Sequence, residues 1–314
     1  MKLGIDMGGM SIKMGLVNEE NKIIGRITIP TDLTVPYQTL VERMADAVRQ
    51  MLENAGMTLE QCGGIGIGSP GTIDAKQGVI LYSNNFGWEN VPIVEELKKH
   101  LDTRIEIAND ADAAALGEVC AGAAEGAENA VLLTLGTGVG SGVILDKKIF
   151  RGAMPGGCEL GHLSIRYDGI RCTCGRKGCL EAYASASALL RIAREKAAEH
   201  PESIMNEMCG NDLEQMNGKI PFDAAKAGDE AGMEVIKEYE GYLACGIANV
   251  INTFRPEKVI LGGGVAAQKE NLTAPLKDLV KDMCFGGSHG YIADIVTSAL
   301  GNDAGIIGAA NLVV

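Results

Sequence analysis

Short apolar runs broken by glycine alternate with longer stretches of helical spacing along the whole chain. Residues 3–6, 11–17 and 22–29 are three such runs in close succession, which predicts three strands of a meander. Between 37 and 54 the apolar positions Leu40, Val41, Met44, Ala47, Val48, Met51 and Leu52 recur at helical steps, which predicts an amphipathic helix. A strand over 63–68, a helix over 91–101, a strand over 104–108 and an alanine-rich helix over 110–121 follow, giving the order β-β-β-α-β-α-β-α.

The pattern then restarts. Residues 133–152 repeat the layout of residues 3–26: apolar strand, glycine-rich turn, apolar strand, acidic turn ending in lysine, third strand. The offset of about 130 residues is too long for a solenoid repeat. It predicts two related α/β domains whose glycine hairpins approach a central cleft from opposite walls, although an unrelated meander shares the outline. The last third is mostly helical. A long apolar-faced helix over 231–253, a strand over 258–261, a helix over 274–283 and a strand over 292–298 precede a final alanine-rich helix over 303–312. The expected organisation is a small N-terminal domain, 1–118 plus a returning 303–314, and a large C-terminal domain over 119–302.

Bulk properties narrow the classes. A chain of 314 residues, 46% hydrophobic, can bury two cores. Lys and Arg total 28 against 41 Asp and Glu, a net charge of −13 with no basic patch, so nucleic acid is an unfavourable partner. Aromatics, at 4%, offer few stacking platforms. No apolar run approaches the ~20 residues that span a bilayer, and Lys2-Leu3-Gly4-Ile5-Asp6 is not a signal-peptide pattern. Nine cysteines, several single within apolar segments, fit a reducing cytoplasm rather than a disulfide framework.

The densest chemistry lies at 159–181. Cys172, Cys174 and Cys179 bracket a glycine turn, and with His162 they form a set suited to tetrahedral zinc. Four protein ligands leave no open position, so such a zinc is structural. A cluster of unligated thiols is the alternative. Glu159 and Glu181 flank the set as candidates to grip a polar ligand.

Two glycine loops, Asp6-Met7-Gly8-Gly9-Met10 and Gly136-Thr137-Gly138-Val139-Gly140, follow matching strands and together suit a polyphosphate. Each is flanked by strands, unlike a dinucleotide fingerprint. Gly262-Gly263-Gly264 ends a strand and permits a nucleoside ring to lie on backbone, or is a bulge or cap. Asn109-Asp110 stands where a strand becomes a helix, the end of α/β sheets at which ligands bind. Asp110 there is either an N-cap or a general base for a hydroxyl. Gly68-Ser69-Pro70-Gly71 closes a neighbouring strand; Asn84, Asn85 and Trp88 are further candidates, Trp88 more naturally as core.

In this order the motifs resemble the ROK family (repressor, open reading frame, kinase) of the hexokinase–actin-like superfamily, over essentially the whole chain. The most specific match is Glu159-Leu-Gly-His162 followed by Cys172-x-Cys174-Gly-x-x-Gly-Cys179-x-Glu181, and the run after the zinc turn is most like the bacterial glucokinases of the family. The resemblance implies two actin-like, ribonuclease H-like domains and phosphorylation of a hexose 6-hydroxyl from Mg-ATP. It implies zinc on His162, Cys172, Cys174 and Cys179, and sugar contacts from Gly71, Asn109, Asp110, Glu159, His162 and Glu181, with Asp110 as base. It places ATP with its Mg²⁺ at Asp6, Gly8, Gly9, Lys13, Thr137, Gly138, Gly263 and Gly264. A homo-oligomer, dimer or tetramer, is expected, a dimer being the family's usual form.

Two residues depart from the family pattern. Met10 stands where Thr or Ser is usual, and a thioether cannot donate to phosphate, which leaves the backbone donors at Gly8 and Gly9. Cys158 stands where a small residue is usual. Glucose is the first substrate; N-acetylmannosamine, N-acetylglucosamine, allose or fructose kinases share the same acids. A non-catalytic sugar sensor, or a repressor-like protein without a DNA-binding domain, is the reading from another class.

Overall fold

The computed structural model describes residues 1–290 and 292–313, so Tyr291 and Val314, which fall within the two predicted domain ranges, lie outside the described residues. In chain order the first half contains strands β1 (Lys2–Met7), β2 (Ser11–Val17) and β3 (Ile23–Pro30), helix α1 (Tyr37–Asn54), and strands β4 (Ile65–Ser69), β5 (Thr72–Asp74), β6 (Val79–Ser83) and β7 (Trp88–Val91). Helix α2 (Ile93–Lys98), strand β8 (Ile105–Asn109) and helix α3 (Asp110–Ala121) complete it. The second half opens on β9 (Ala130–Leu135), β10 (Val139–Leu145) and β11 (Lys148–Ile149). Helices α4 (Glu181–Ala184), α5 (Ala186–Glu199), α6 (Ile204–Met208), α7 (Ile220–Lys226) and α8 (Glu230–Phe254) follow, then β12 (Lys258–Gly262), α9 (Glu270–Met283), β13 (Asp294–Thr297) and α10 (Ala304–Ala310).

The predicted duplication is visible in topology. One five-stranded sheet has the order β3-β2-β1-β4-β8 and the other β11-β10-β9-β12-β13, the same path through the second half as through the first. In the first, β1, β2 and β3 pair antiparallel and β1, β4 and β8 parallel; in the second, β10 and β11 pair antiparallel and β12 and β13 parallel. This is the two-domain α/β architecture expected of the actin-like and hexokinase-like fold.

The chain forms two compact units: Met1–Leu132, Gly142–Cys158 and Ala299–Val314 in the first, Leu133–Ser141 and Glu159–Ser298 in the second. In the first, α1 turns Leu40, Val41, Met44, Val48 and Leu52 inward into a core with Leu3, Ile5, Met14 and Ile67. The opposite sheet face takes α3 and α10. A Cβ on Gly66 would fall on the Ala309 carbonyl, and one on Gly308 on the Ala113 carbonyl, so bare backbone lets α10 lie directly on β4 and α3. In the second unit α8 is capped by the Asp229 carboxyl, which accepts from Gly232 N, and ends at Arg255 in a left-handed conformation before Pro256. No helix among the described residues is long and apolar enough to cross a membrane.

The structure departs from the sequence reading in three places. The segment from Thr72 to Val91, to which the sequence pattern assigned no strand, is a separate three-stranded antiparallel sheet. The helix expected over 91–101 is only Ile93–Lys98, because Pro92 ends the preceding strand. Helix α9 starts four residues before the predicted 274 and carries Pro275 inside it.

A buried acid organises the first unit. Glu118, fully buried, accepts backbone N–H groups from Ala123 (2.7 Å), Ala299 (3.1 Å) and Leu300 (3.0 Å). It thereby anchors the segment that leads into α10. Glu118→Ala leaves these donors without their acceptor and is expected to lower unfolding free energy by about 3 kcal/mol or more. Denaturant unfolding checks this; a midpoint within error of wild type would remove the anchor role.

Candidate active-site residues and the metal turn

In the first unit the parallel register sets Asp6 beside Gly68, and Gly68 beside Ala108, so the C-terminal ends of β1, β4 and β8 lie together. The strand-to-helix turn puts Asn109 and Asp110 at that end. Asn109 Oδ1 accepts from Ala111 N (2.8 Å) and Asp112 N (3.4 Å), capping α3, and its Nδ2 donates to the Gly71 carbonyl (3.2 Å). Gly71, Asn109 and Asp110 are thus brought together, and Asn109, not Asp110, is the cap. Asp110 accepts from Ala111 N at 2.9 Å.

Burial raises the Asp110 carboxyl above the usual range, opposed by the Ala111 N–H. Burial also raises Asp6, opposed by Lys13, its antiparallel neighbour, and reinforced by the charge of Asp110. A titratable pair at the sheet end, held away from its ordinary range by desolvation, is a feature of reacting centres. Helix α10 closes on the same region: a Cβ on Gly305 would lie 2.9 Å from Asp6 Cγ, and Asp303 makes two 2.6 Å bonds to Arg26.

The first glycine loop corrects one expectation. Gly8 N donates to the Ser11 carbonyl (3.0 Å) and the Gly8 carbonyl accepts from Thr31 Oγ1 (2.6 Å). The Gly8 amide is therefore engaged in closing the hairpin and is not a spare phosphate donor. The Met10 side chain, 91% exposed, projects into solvent. A hollow of about 540 Å³ opens beside Asn109, lined among others by Glu106, Asp112 and Arg151. Trp88 packs on Phe86 (4.9 Å between ring centroids) and Tyr37 (6.1 Å), while Asn84 and Asn85 are exposed.

In the second unit the loop at 136–138 is closed by Gly136 N to the Gly138 carbonyl (3.0 Å). It is braced on the start of α5, where Ala186 N donates to the Gly136 carbonyl (2.8 Å) and Ser187 Oγ to the Thr137 carbonyl (2.9 Å). Gly263, at φ +82°, packs on the Leu135 backbone where no side chain fits. Gly264, beside it, is exposed.

The metal turn assembles as the spacing suggested. The ligand atoms of His162, Cys172, Cys174 and Cys179 all lie within 4.8 Å of one another. His162 Nδ1 is 3.7 Å from Cys172 Sγ, and Cys174 Sγ is 3.6 Å from Cys179 Sγ. Tetrahedral zinc with Zn–S near 2.3 Å requires sulfur separations of about 3.8 Å, so the donors fit the ion. With Nδ1 turned to the thiols, Nε2 is the His162 nitrogen left for another ligand.

Glu181 joins this turn to the glycine loop. Its Oε2 accepts from Val139 N (3.0 Å) and its Oε1 from Thr173 Oγ1 (2.9 Å) and Cys172 Sγ (3.4 Å). Oε2 lies so close to Gly138 that a Cβ there would collide with it. Glu159 is exposed at the head of the turn containing His162, and Leu160 N donates to Ser141 Oγ (2.9 Å) to fix that turn. Cys158 is half-buried.

Sequence reasoning missed Thr173, Ser141 and Ser187, which hold Glu181 and the loops rather than bear chemistry. The hydroxyl inside Cys-Thr-Cys and the serine inside Gly-Ser-Gly were the available signals.

The comparisons extend over the same residues. The ROK family model matches residues 2–314. A glucokinase of Thermotoga maritima is 37% identical over 99% of this chain and 96% of that protein. A xylose repressor of Caldicellulosiruptor bescii is 29% identical over 99% of this chain and 77% of the repressor. The crystal structure of a ROK family glucokinase from Streptomyces griseus, in complex with glucose and AMPPNP, superposes with a TM-score of 0.79 at 32% identity, covering 99% of this chain and 98% of that one.

Proposed function

The chain belongs to the ROK family, and we propose from that membership that it is an ATP-dependent glucokinase, transferring the γ-phosphoryl group of Mg-ATP to the 6-hydroxyl of glucose. The observation that carries this reading is likeness to glucokinases over 99% of the chain, including one structure that holds glucose and a nucleotide. Asp110, buried at a strand end beside Asn109, supports the role of base.

Asp110 takes the proton of the attacking hydroxyl. Asn109, Gly71, Glu159, His162 and Glu181 hold the other hydroxyls, His162 through Nε2. Gly9, Thr137 and Gly138 supply donors to the phosphates, Asp6 and Lys13 set the charge around them, and Gly263 and Gly264 accept the nucleoside. Mg²⁺ brought with ATP neutralises charge on the transferring group, and positioning supplies most of the remaining acceleration.

His162, Cys172, Cys174 and Cys179 would hold zinc, which would fix the turn that bears Glu181. Its binding requires Cys172 as thiolate. A thiolate no longer donates to Glu181 Oε1, which leaves that oxygen more available to a sugar hydroxyl. Nine cysteines present as free thiols or metal-ligand candidates support a reducing, cytoplasmic setting, and a homo-oligomer follows the family's habit.

A coupled ADP-release assay with Mg-ATP and a panel of glucose, mannose, fructose, allose, N-acetylglucosamine and N-acetylmannosamine tests the substrate. The highest kcat/KM is expected with glucose. Preference for an acetylated sugar would overturn the glucose assignment, and no turnover with any would favour a sensor.

A further inference from the structure

Away from these residues, α8 presents Met233, Ile236, Lys237 and Glu240 at helical spacing along one face. Opposite them stand Ala225 of α7 and Pro275, Asp278 and Leu279 of α9, and the three helices enclose a groove of about 410 Å³. Glu240 lines it, is only 6% exposed, and its Oε1 is fully buried without a hydrogen-bond partner. Buried carboxyls are normally paired or hydrogen-bonded, because desolvation otherwise disfavours them.

We propose that this groove is a binding site for a small amphiphilic amine, whose ammonium pairs with Glu240 and whose aliphatic body lies against Met233, Ile236, Pro275 and Leu279. The lining selects this chemistry. A carboxylate or phosphate ligand would meet two acids, Glu240 and Asp278, against the single cation Lys237. A neutral apolar ligand would leave the Glu240 carboxyl without a partner. An ammonium satisfies the acid while the hydrocarbon covers the apolar walls, and Ala225 leaves room for it.

The ionisable groups lining the groove are Glu240 and Lys237 on α8 and Asp278 on α9; α7 contributes Ala225. Burial pushes the Glu240 carboxyl up to about 7, with no neighbouring charge pulling it down. Below that pH an entering ammonium must displace a proton; above it the carboxylate is already formed.

Calorimetric titration of the full chain with hexylamine, in buffers of differing ionisation enthalpy, tests the proposal. Saturable binding is expected, with about one proton released per amine near pH 6 and little release near pH 8. Glu240→Gln should weaken binding about 10- to 100-fold, the usual worth of a charge-assisted bond, with glucose turnover unchanged. Ala225→Leu, which narrows the groove and keeps the acid, should weaken binding as well. Hexanol binding as tightly as hexylamine, or amine binding indifferent to both substitutions, would overturn the proposal. So would the absence of saturable binding, as when a second copy of the chain covers the groove.

Discussion

Asp110→Asn is expected to lower kcat for glucose phosphorylation by about 10²–10⁴-fold, the usual worth of a positioned general base, without lowering the stability of the folded protein. The two effects share one cause. Burial raises the Asp110 carboxyl above its ordinary value. The ionised form that catalysis needs is therefore disfavoured by the fold. At pH below the unfolded carboxyl's value both states are protonated and the burial carries no penalty. As pH rises through the folded value, stability is lost. An uncharged amide of the same shape escapes that loss, so the variant's melting temperature at neutral pH should equal or exceed the wild type's. The same shift moves the acid limb of kcat/KM to higher pH than an ordinary aspartate would give. Steady-state kinetics across pH with parallel thermal unfolding checks all three. Near-wild-type turnover would remove Asp110 from its role, whereas a fall in both activity and melting temperature would indicate a structural one.

The second large effect is at the metal turn. Cys179 is fully buried, and its sulfur lies 3.6 Å from that of Cys174. Cys179→Ser should reduce bound zinc from close to one per chain to well below it. It should also raise KM for glucose and lower kcat/KM by about 10- to 100-fold, the range seen when support around a site is lost. The route is Glu181, whose Oε1 accepts from Thr173 Oγ1 within the turn. KM for ATP should change less. Elemental analysis of protein purified without chelator, beside glucose and ATP kinetics, checks this. Active wild-type protein without zinc would refute the metal assignment, and equal losses for both substrates would show a general loss of fold.

Much of this was legible in the residues. The spacing Cys172, Cys174, Cys179 is short-range, and three of the four ligands close over a tight glycine turn, so order along the chain nearly determines proximity. The repeated meander was readable because apolar strand, glycine turn and strand are local patterns, and the two sheets share one order. What escaped depends on distant partners. Glu118 reads as an ordinary helical glutamate, yet its acceptors serve N–H groups 181 and 182 residues further on. The Gly8 amide read as a spare donor because nothing local shows that the Ser11 carbonyl takes it. The sheet of β5, β6 and β7 escaped because its strands are three to five residues long, too short to establish a period. Glu240 sits at a helix position that alternation with Lys237 and Glu238 marks as solvent-facing, and only the packing of α7 and α9 buries it.

The central claim is phosphoryl transfer from ATP to the glucose 6-hydroxyl, and ³¹P NMR of a reaction containing protein, Mg-ATP and glucose tests it most directly. The account predicts a phosphomonoester signal coupled to the C6 protons that grows in step with ADP, and growth slowed about 10²–10⁴-fold with Asp110→Asn. Growth of inorganic phosphate alone, phosphate on another carbon, or an unchanged ATP spectrum would contradict it.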